Sequence, residues 1–183
     1  MYYTIVRRPG RGRGDLDAAR DAALAHLLPL VGVSGAAVAH DEEGRPYLVN
    51  RPDLFISVSH ADGLTAVALS ARPVGIDLES AEAIRDPEGL ARRFLTETEQ
   101  AEVASAPDVR RAVLGIWTRK EALGKYRGTG LAAVLGDTTC EADFHTRFFL
   151  FDGVEYAVTV YGEGEPEYRP FEADFVIDNA AAR

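Results

Sequence analysis

Two carboxylates stand close together in an apolar stretch of the chain, "VGIDLE" at residues 74–79. If this stretch is a β-strand, alternate side chains point to opposite faces. Ile76 and Leu78 then face the core. Asp77 and Glu79 share the other face and repel each other unless a cation lies between them. Such oxygen ligands suit Mg²⁺, which binds one or two carboxylates together with substrate phosphates. The alternative is an ordinary strand with one solvent-exposed, acidic face.

A second group of chemically useful residues lies in "WTRKEALGKYRGTG", residues 117–130, which contains the only two lysines of the chain. On a helix, Trp117, Glu121 and Lys125 share one face because they are four residues apart. Glu121 could supply a third oxygen to the cation, and Lys125 would then reach a phosphate on it. The alternative is an intrahelical Glu121–Lys125 ion pair, worth about 0.3–0.5 kcal/mol. Lys120 points to another face, and we expect it to be solvated.

The N-terminus and one strand end offer further candidates. Residues 1–14 contain no acidic residue and four arginines: Arg7, Arg8, Arg11 and Arg13. Guanidinium groups match phosphate oxygens, so this cluster indicates a site for a polyanionic small molecule, the alternative being a frayed tail. His60 ends an apolar stretch before a tight turn, beside Ser59. A lone histidine is more often structural, but loops at strand ends are where ligands are met.

Length and composition limit the class of protein. The chain has 183 residues, enough for one large domain or two coupled lobes. Its net charge of −9 argues against nonspecific nucleic-acid binding. No apolar run reaches membrane-spanning length and the N-terminus lacks a signal-peptide pattern, so we expect a cytoplasmic protein with no membrane partner. Cys140, the only cysteine, excludes an intrachain disulfide and a cysteine-clustered metal site.

The order of predicted elements is strand, helix, strands, then strand, helices, strands. The first helix follows a strand at "YYTIV" and is capped by Asp15 or Asp17. Thr96 and Glu99 form a capping box for a later helix, and Asp108 begins the next. The predicted strands and hairpins cover residues 36–49, 54–70, 74–79, 146–162 and 171–177. This order predicts an α+β fold of two pseudo-symmetric lobes, 1–72 and 73–183, each a small, mostly antiparallel sheet packed with helices.

Five motifs together resemble one family in order and spacing. They are "GRP" (44–46), "SVSHA" (57–61), "VGIDLE" (74–79), "RRFLTETE" (92–99) and "WTRKEALGKYRGTGL" (117–131). The chain resembles the 4′-phosphopantetheinyl transferases, specifically the monomeric surfactin-synthetase (Sfp-type) class. The resemblance implies Mg²⁺-dependent transfer of the 4′-phosphopantetheine group from coenzyme A to a serine of an apo acyl or peptidyl carrier protein. It also implies a monomer with its site in the cleft between two lobes, serving pathways such as secondary metabolite biosynthesis.

The resemblance implies roles for individual residues. The carboxylates that would hold Mg²⁺, which Mn²⁺ could replace, are Asp77, Glu79 and Glu121. Lys125 would contact phosphate, and Glu121 would also help to deprotonate the attacking serine. The residues that would contact coenzyme A besides Lys125 are Ser59 and His60 at the phosphates, Gly44, Arg45 and Pro46 near the adenine, and Arg13 at the 3′-phosphate. Glu99 matches an acidic position of the family. In one functional unit, lobe 1–72 would be the coenzyme A-binding side and lobe 73–183 the Mg²⁺-binding and catalytic side.

Some positions depart from the family pattern. Ser57 stands where asparagine is usual and Arg45 where lysine is usual. The segment before the first helix is short, so the choice of Arg13 over its neighbours rests only on its nearness to the helix. Two alternatives remain: a coenzyme A-binding homologue without turnover, and a structural module in which every motif is surface. Leu95 and the helix after Thr96 are predicted to form an exposed surface for the carrier protein.

Overall fold

The computed structural model describes residues 1–8, 10 and 12–171, and it has a mixed α+β architecture. The strands are β1 (Tyr2–Arg7), β2 (Val38–His40), β3 (Pro46–Leu48), β4 (Phe55–Ala61), β5 (Leu64–Ser70), β6 (Val74–Ser80), β7 (His145–Phe151), β8 (Val154–Gly162) and β9 (Glu167–Tyr168). The α-helices are α1 (Arg13–Leu27), α2 (Pro87–Phe94), α3 (Glu97–Ser105) and α4 (Val109–Arg127). No helix in this part of the chain is long and apolar enough to cross a membrane.

The strands form two sheets and a separate β2–β3 hairpin. The first sheet has the order β4-β5-β1-β9 and is antiparallel except for the parallel pair β1–β9. The second sheet has the order β6-β8-β7 and is antiparallel throughout. The predicted α+β class and mostly antiparallel pairing are confirmed. The sequence did not indicate β9, and apart from Phe171 the strand predicted at 171–177 lies outside the described residues.

One apolar core lies between the two sheets. It combines side chains of both sheets: Tyr3, Ile5, Leu64, Ala66, Ile76, Leu78, Val158 and Val160. The chain passes from the first sheet to the second at residues 71–73, and β9 later returns to the first sheet. The division into lobes 1–72 and 73–183 stays a prediction, and the shared core fixes the two sheets against each other.

Helix α1 begins differently from the prediction. Its N-cap is Gly12, and the carboxylate of Asp15 accepts a hydrogen bond of 2.9 Å from the Gly12 backbone N–H. The prediction that Asp15 or Asp17 is the cap was therefore wrong, because Asp15 reaches back from the first turn of the helix to the capping residue. Gly12 lacks a side chain to cap with, and the Asp15 carboxylate adds negative charge at the positive end of the helix dipole.

The capping predictions for α3 and α4 are confirmed. Thr96 and Glu99 form both hydrogen bonds of the capping box, and Asp108 caps α4. Leu95 is only 6% exposed and packs in the core beneath α2, α3 and α4. The prediction that Leu95 contributes to an exposed docking surface was wrong, because the turn into α3 directs this apolar side chain inward.

Gly75 allows β6 to lie directly against α4. A Cβ atom at this position would come within 2.0 Å of the Ala122 carbonyl oxygen and 2.8 Å of the Tyr126 nitrogen. Only a residue without a side chain permits this approach of strand and helix backbones. The contact sets the spacing between β6, which carries Asp77, and α4, which carries Lys125.

We expect Gly75→Ala to lower the free energy of unfolding by about 1–3 kcal/mol, because the backbones of strand and helix must separate. Denaturant unfolding would measure the change. Gly14→Ala in α1 is the matched control, since no atom lies within 4 Å of its added Cβ. Equal stability of the Gly75 variant and the wild type would contradict the close approach.

Candidate active site

Asp77 occupies a buried position on β6. The strand is buried on both faces, with Ile76 and Leu78 in the core between the sheets and Asp77 only 3% exposed. The second face of β6 is therefore covered by α4, in contrast to the alternative of a solvent-exposed strand face. A buried carboxylate needs compensating partners, because transfer of its charge from water is costly.

The partners of Asp77 come from two distant parts of the chain. Its Oδ1 atom accepts hydrogen bonds of 2.8 Å from Ser59 Oγ on β4 and 2.8 Å from Lys125 Nζ on α4. Its buried Oδ2 atom has no hydrogen-bond partner among the described residues. One oxygen is thus fully engaged, while the other is left for a donor or a cation.

Lys125 forms its ion pair with β6 rather than with Glu121. The structure places its ammonium group on Asp77, and the side chain keeps 30% of its surface exposed. Trp117, on the same face of α4 as Glu121 and Lys125, packs edge-on against the ring of Phe94, with 6.0 Å between the ring centroids. The simple intrahelical pair does not describe this site, since Lys125 bridges a helix and a strand.

Negative charge accumulates around Asp77. Burial, with the charges of Asp77 and Glu121 nearby, raises the pKa of Glu79 to about 7. Burial and the charge of Asp77 also raise the pKa of Glu121. Within the described ranges, however, no three His, Cys, Asp or Glu side chains form a ready-made metal cluster. The structure thus places the three predicted carboxylates within electrostatic reach of one another without closing them around a common point.

The raised pKa of Glu79 makes the stability of the folded protein depend on pH. Folded protein holds this proton more firmly than the unfolded chain between the ordinary pKa of 4.5 and about 7. The contribution of Glu79 to stability therefore falls as pH rises through this window. We expect the melting temperature of Glu79→Gln, relative to wild type, to increase from pH 4.5 to 7 in buffer free of divalent cations. A difference that stays constant across this range would contradict the prediction.

Two neighbouring cavities lie beside this site, and the first of them includes Lys125. The larger, about 540 Å³, is lined by Gly44, Arg45, Pro46, Ser57 and Lys125 among others. The smaller, about 290 Å³, shares Gly44 and Pro46 with it and reaches His60 and Arg13. Most of the residues predicted to contact coenzyme A therefore line these two neighbouring cavities, which we call the groove and which include Lys125 at one end and Arg13 at the other.

Two of these groove residues are held by local structure. Gly44 adopts φ +81° in the β2–β3 turn, a conformation suited to glycine. Arg45 forms ion pairs with Asp41 at 2.6 Å and Glu43 at 3.2 Å, and its guanidinium lies against Gly128 after α4. The turn and the end of α4 thus form one wall of the groove.

Three of the N-terminal arginines occupy different places. Arg7 pairs with Asp152 at 3.7 Å and lies over the ring of Phe151. Arg8 donates to the backbone oxygen of Asp62. Arg13 lines the smaller cavity together with His60, while Arg11 is outside the described residues. Among the three N-terminal arginines that the structure describes, Arg13 is the one that lines a cavity of the groove.

Ser59 differs from the role predicted for it. Its side chain is buried and donates to Asp77, whereas the adjacent His60 is exposed at the groove. Strand alternation explains the difference, because neighbouring residues of β4 point to opposite faces. The structure gives Ser59 a part in orienting Asp77, and its contact with coenzyme A stays a prediction.

Lys120 is the clearest correction among the candidate residues. The prediction that it is solvated was wrong: its side chain is fully buried and pairs with Glu99 at 2.9 Å. The signal in the sequence was the rarity of lysine, since both lysines of the chain make interactions with buried carboxylates. The spacing of the helix gave no partner for Lys120, because Glu99 lies on another helix.

Comparison with known proteins defines the class. A sequence profile of the 4′-phosphopantetheinyl transferase superfamily matches residues 73–170, more than half of the chain. The chain belongs to this superfamily, and the resemblance inferred from the motifs is confirmed. The profile includes β6 and α4, the elements that bring Asp77 and Lys125 together.

The chain is similar to two proteins named 4′-phosphopantetheinyl transferase and to one named holo-[acyl-carrier-protein] synthase. A 4′-phosphopantetheinyl transferase of Bacillus subtilis is 29% identical over 160 residues, covering 85% of this chain and 69% of the relative. The 4′-phosphopantetheinyl transferase Sfp of Bacillus subtilis (strain 168) is 28% identical over 96 residues, covering 51% of this chain and 42% of Sfp. The crystal structure of Thermotoga maritima holo-[acyl-carrier-protein] synthase (AcpS) is 26% identical, with a TM-score of 0.32 over 53% of this chain and 64% of that one.

Proposed function

We propose that this chain transfers the 4′-phosphopantetheine group from coenzyme A to a serine hydroxyl of an apo acyl or peptidyl carrier protein, releasing adenosine 3′,5′-bisphosphate. The observation that carries the proposal is the Lys125–Asp77 pair, at which a helix and a strand meet at the end of the groove. Membership of the transferase superfamily supports the reaction class. The groove supplies a length of surface suited to a nucleotide with a flexible arm.

We further propose that Asp77, Glu79 and Glu121 hold Mg²⁺ or Mn²⁺. The buried Oδ2 atom of Asp77 lacks a hydrogen-bond partner, and burial together with the charge of Asp77 raises the pKa values of Glu79 and Glu121; a divalent cation would stabilise the charged form of all three carboxylates. Carboxylate oxygens are the ligands that these hard cations prefer. When bound, the cation would neutralise charge on the pyrophosphate of coenzyme A.

The side chains of the protein would perform the remaining steps. Phosphoryl transfer depends on positioning and charge neutralisation more than on covalent help from the enzyme. The ammonium group of Lys125 would bind a pyrophosphate oxygen, and as a compact charge on a flexible stem it can approach that oxygen closely. Glu121 would take the serine proton while the serine oxygen bonds to phosphorus and the bond to the departing adenosine bisphosphate breaks. Carboxylates are among the groups that act as general bases in such proton transfers.

The groove predicts which residues bind coenzyme A without affecting chemistry. We expect His60→Ala and Arg13→Ala each to raise the coenzyme A KM by about tenfold, the cost of one hydrogen bond to a charged phosphate, with kcat nearly unchanged. Steady-state kinetics at saturating carrier protein would measure both constants. Arg7→Ala is the control, because this arginine pairs with Asp152 instead of lining the groove. A change in kcat alone would show that the assignment of His60 or Arg13 is wrong.

One assay tests the proposed reaction. The protein is incubated with coenzyme A, Mg²⁺ and an apo carrier protein, and intact mass spectrometry follows the gain of the phosphopantetheine arm. Coenzyme A binding without a mass gain would favour a non-catalytic homologue, and absence of both would favour a structural module. Both walls of the groove come from one chain, which supports a monomer, and the use of coenzyme A supports a cytoplasmic location.

A further inference from the structure

A closed network of hydrogen bonds surrounds the buried Lys120 on α4. Its Nζ atom contacts Glu99 Oε2 at 2.9 Å and donates to the backbone oxygens of Leu135 at 3.0 Å and Asp137 at 2.7 Å. An ammonium group has three N–H donors, so all of them are used. Neither side chain of the Glu99–Lys120 pair has any exposed surface. The proposed reaction gives this pair no task.

Glu99 completes the same network from α3. Its Oε1 atom accepts hydrogen bonds from the backbone N–H of Thr139 at 2.9 Å and the Thr139 hydroxyl at 2.7 Å. Its Oε2 atom accepts from the Thr96 N–H at 2.9 Å. Burial alone would raise the pKa of Glu99, but the hydrogen bonds from Lys120, Thr96 and Thr139 hold it below its ordinary value. The carboxylate is therefore ionised and fully partnered.

The network holds residues 135–139, which follow α4, against both helices. Two additional contacts act on this 135–139 segment: Thr138 Oγ1 lies 3.0 Å from Thr96 Oγ1, and Asp137 pairs with Arg127 on the last turn of α4. On α4, Lys120 donates to the backbone of the 135–139 segment, and Arg127, two turns later, pairs with the Asp137 carboxylate of the same segment. Together these contacts fasten the segment along the turns of α4 that contain Glu121 and Lys125.

Those turns of α4 are also enclosed by backbone on two further sides. On one side Gly75 of β6 lies against Ala122. On another, the chain beyond α4 returns so closely that a Cβ atom on Gly124 would come within 2.9 Å of the Gly130 backbone. The stretch from Lys120 to Lys125 is thus held by a strand and by the returning chain. Any loosening of the returning chain would free one side of it.

We infer that Glu99 and Lys120 form a positioning pair, which fastens the 135–139 segment against α4 and so fixes Glu121 and Lys125 for the transfer reaction. This inference rests on the proposed function. A lysine suits the position because three acceptors in different directions surround one nitrogen. A planar guanidinium cannot direct its donors in the same way. We therefore expect Lys120→Arg to lower kcat as well, even though arginine keeps the positive charge.

The decisive experiment replaces the whole pair. Glu99→Leu/Lys120→Met substitutes apolar side chains of similar size, a change that commonly preserves the fold of a buried ion pair. We expect the double variant to fold with a melting temperature moderately below wild type, because the backbone partners of Lys120 and Glu99 lose their hydrogen bonds. Assayed well below that temperature, it should show a kcat lower by about 100-fold and a coenzyme A KM within about threefold, since a misplacement of about 1 Å can cost this much in rate. A pair that is merely structural would leave kcat unchanged once stability is retained.

A second pair between α3 and α4 provides the matched control. Arg119 precedes Lys120 on α4; it is buried and pairs at 2.6 Å with Glu102, a partly exposed residue of α3, and this ion pair does not involve the 135–139 segment. We expect Glu102→Leu/Arg119→Met to retain wild-type kcat. Equal loss of kcat in both double variants would overturn the inference, because general loosening of α3 would then explain the result.

A milder variant keeps the inference testable if the double variant fails to fold. Thr139→Val removes the hydroxyl bond to Glu99 and leaves the ion pair intact. We expect faster hydrogen exchange of the amides of residues 135–139 and a kcat lower by about three- to tenfold. Faster exchange with wild-type kcat would overturn the inference. An inactive wild type would instead overturn the proposed function, and the exchange result would still report whether the network holds the segment.

Discussion

Replacing Asp77 by asparagine is expected to lower the rate of holo-carrier formation by about 100- to 1,000-fold, the range found when one preorganised electrostatic contact is removed from a reaction site. Asparagine keeps the size of the side chain and one acceptor oxygen for Ser59. It removes the negative charge that Lys125 now neutralises and that the proposed cation requires. Coenzyme A should bind with a smaller loss, because most of the groove is unchanged.

The measurement combines intact mass spectrometry of the carrier protein with calorimetry of coenzyme A binding. Glu82→Gln is the control, since this exposed carboxylate follows β6 by only two residues but lies outside the groove. Near-wild-type transfer by Asp77→Asn would remove the basis for the cation site. Equal losses in both variants would point to the overall charge of the region instead of to Asp77.

The second large effect concerns stability. We expect Lys120→Met to lower the free energy of unfolding by about 3–5 kcal/mol, because Glu99 would remain buried without its countercharge. For a chain of this size, each 1 kcal/mol shifts the melting temperature by roughly 2–4 °C. Denaturant and thermal unfolding would both detect such a change. Adding Glu99→Leu to the same chain should recover part of the stability, because the unpaired charge is removed while the backbone groups that the pair satisfied remain without partners.

Arg127→Met is the comparison for this prediction. Arg127 lies on the same helix as Lys120 and pairs with Asp137 of the 135–139 segment, but both side chains of this pair are more than 40% exposed. Exposed pairs contribute about 0–1 kcal/mol, so this variant should unfold close to wild type. If Lys120→Met and Arg127→Met had the same free energy of unfolding, the predicted large contribution of the buried Glu99–Lys120 pair to stability would be wrong.

The parts of the fold that the sequence could predict depend on interactions between residues close together in the chain. The hairpins around residues 41–45, 62–63 and 152–153 follow from apolar alternation on either side of turn residues. The caps at Thr96 and Asp108 follow from side chains that reach only three residues. The parallel pair of β1 and β9 has no such signal, because its partners, Tyr2 with Glu167 and Tyr3 with Tyr168, lie 165 positions apart in the sequence and β9 has only two residues.

The candidate site shows the same division. The parity of β6 predicted Asp77 and Glu79 as candidates, and the helical spacing of α4 predicted Glu121 and Lys125, since each element presents its own residues regularly. Which lysine would meet which carboxylate depends on packing between elements. Spacing along one helix suggested that Lys120 is solvated, and only the position of α3 and the 135–139 segment gives it a buried partner. Ser59 became a partner of Asp77 because β4 packs beside β6.

The apolar core between the two sheets has a consequence for how a ligand enters. The groove has walls from both halves of the chain, so widening it by a hinge would pull Leu64 and Ile76 apart and expose them to water. Rigid-body opening is therefore opposed by the same hydrophobic contacts that stabilise the fold. We therefore expect a ligand to enter by local movement of surface side chains that line the groove, such as Arg45 and Tyr47, with the two sheets keeping their relative position.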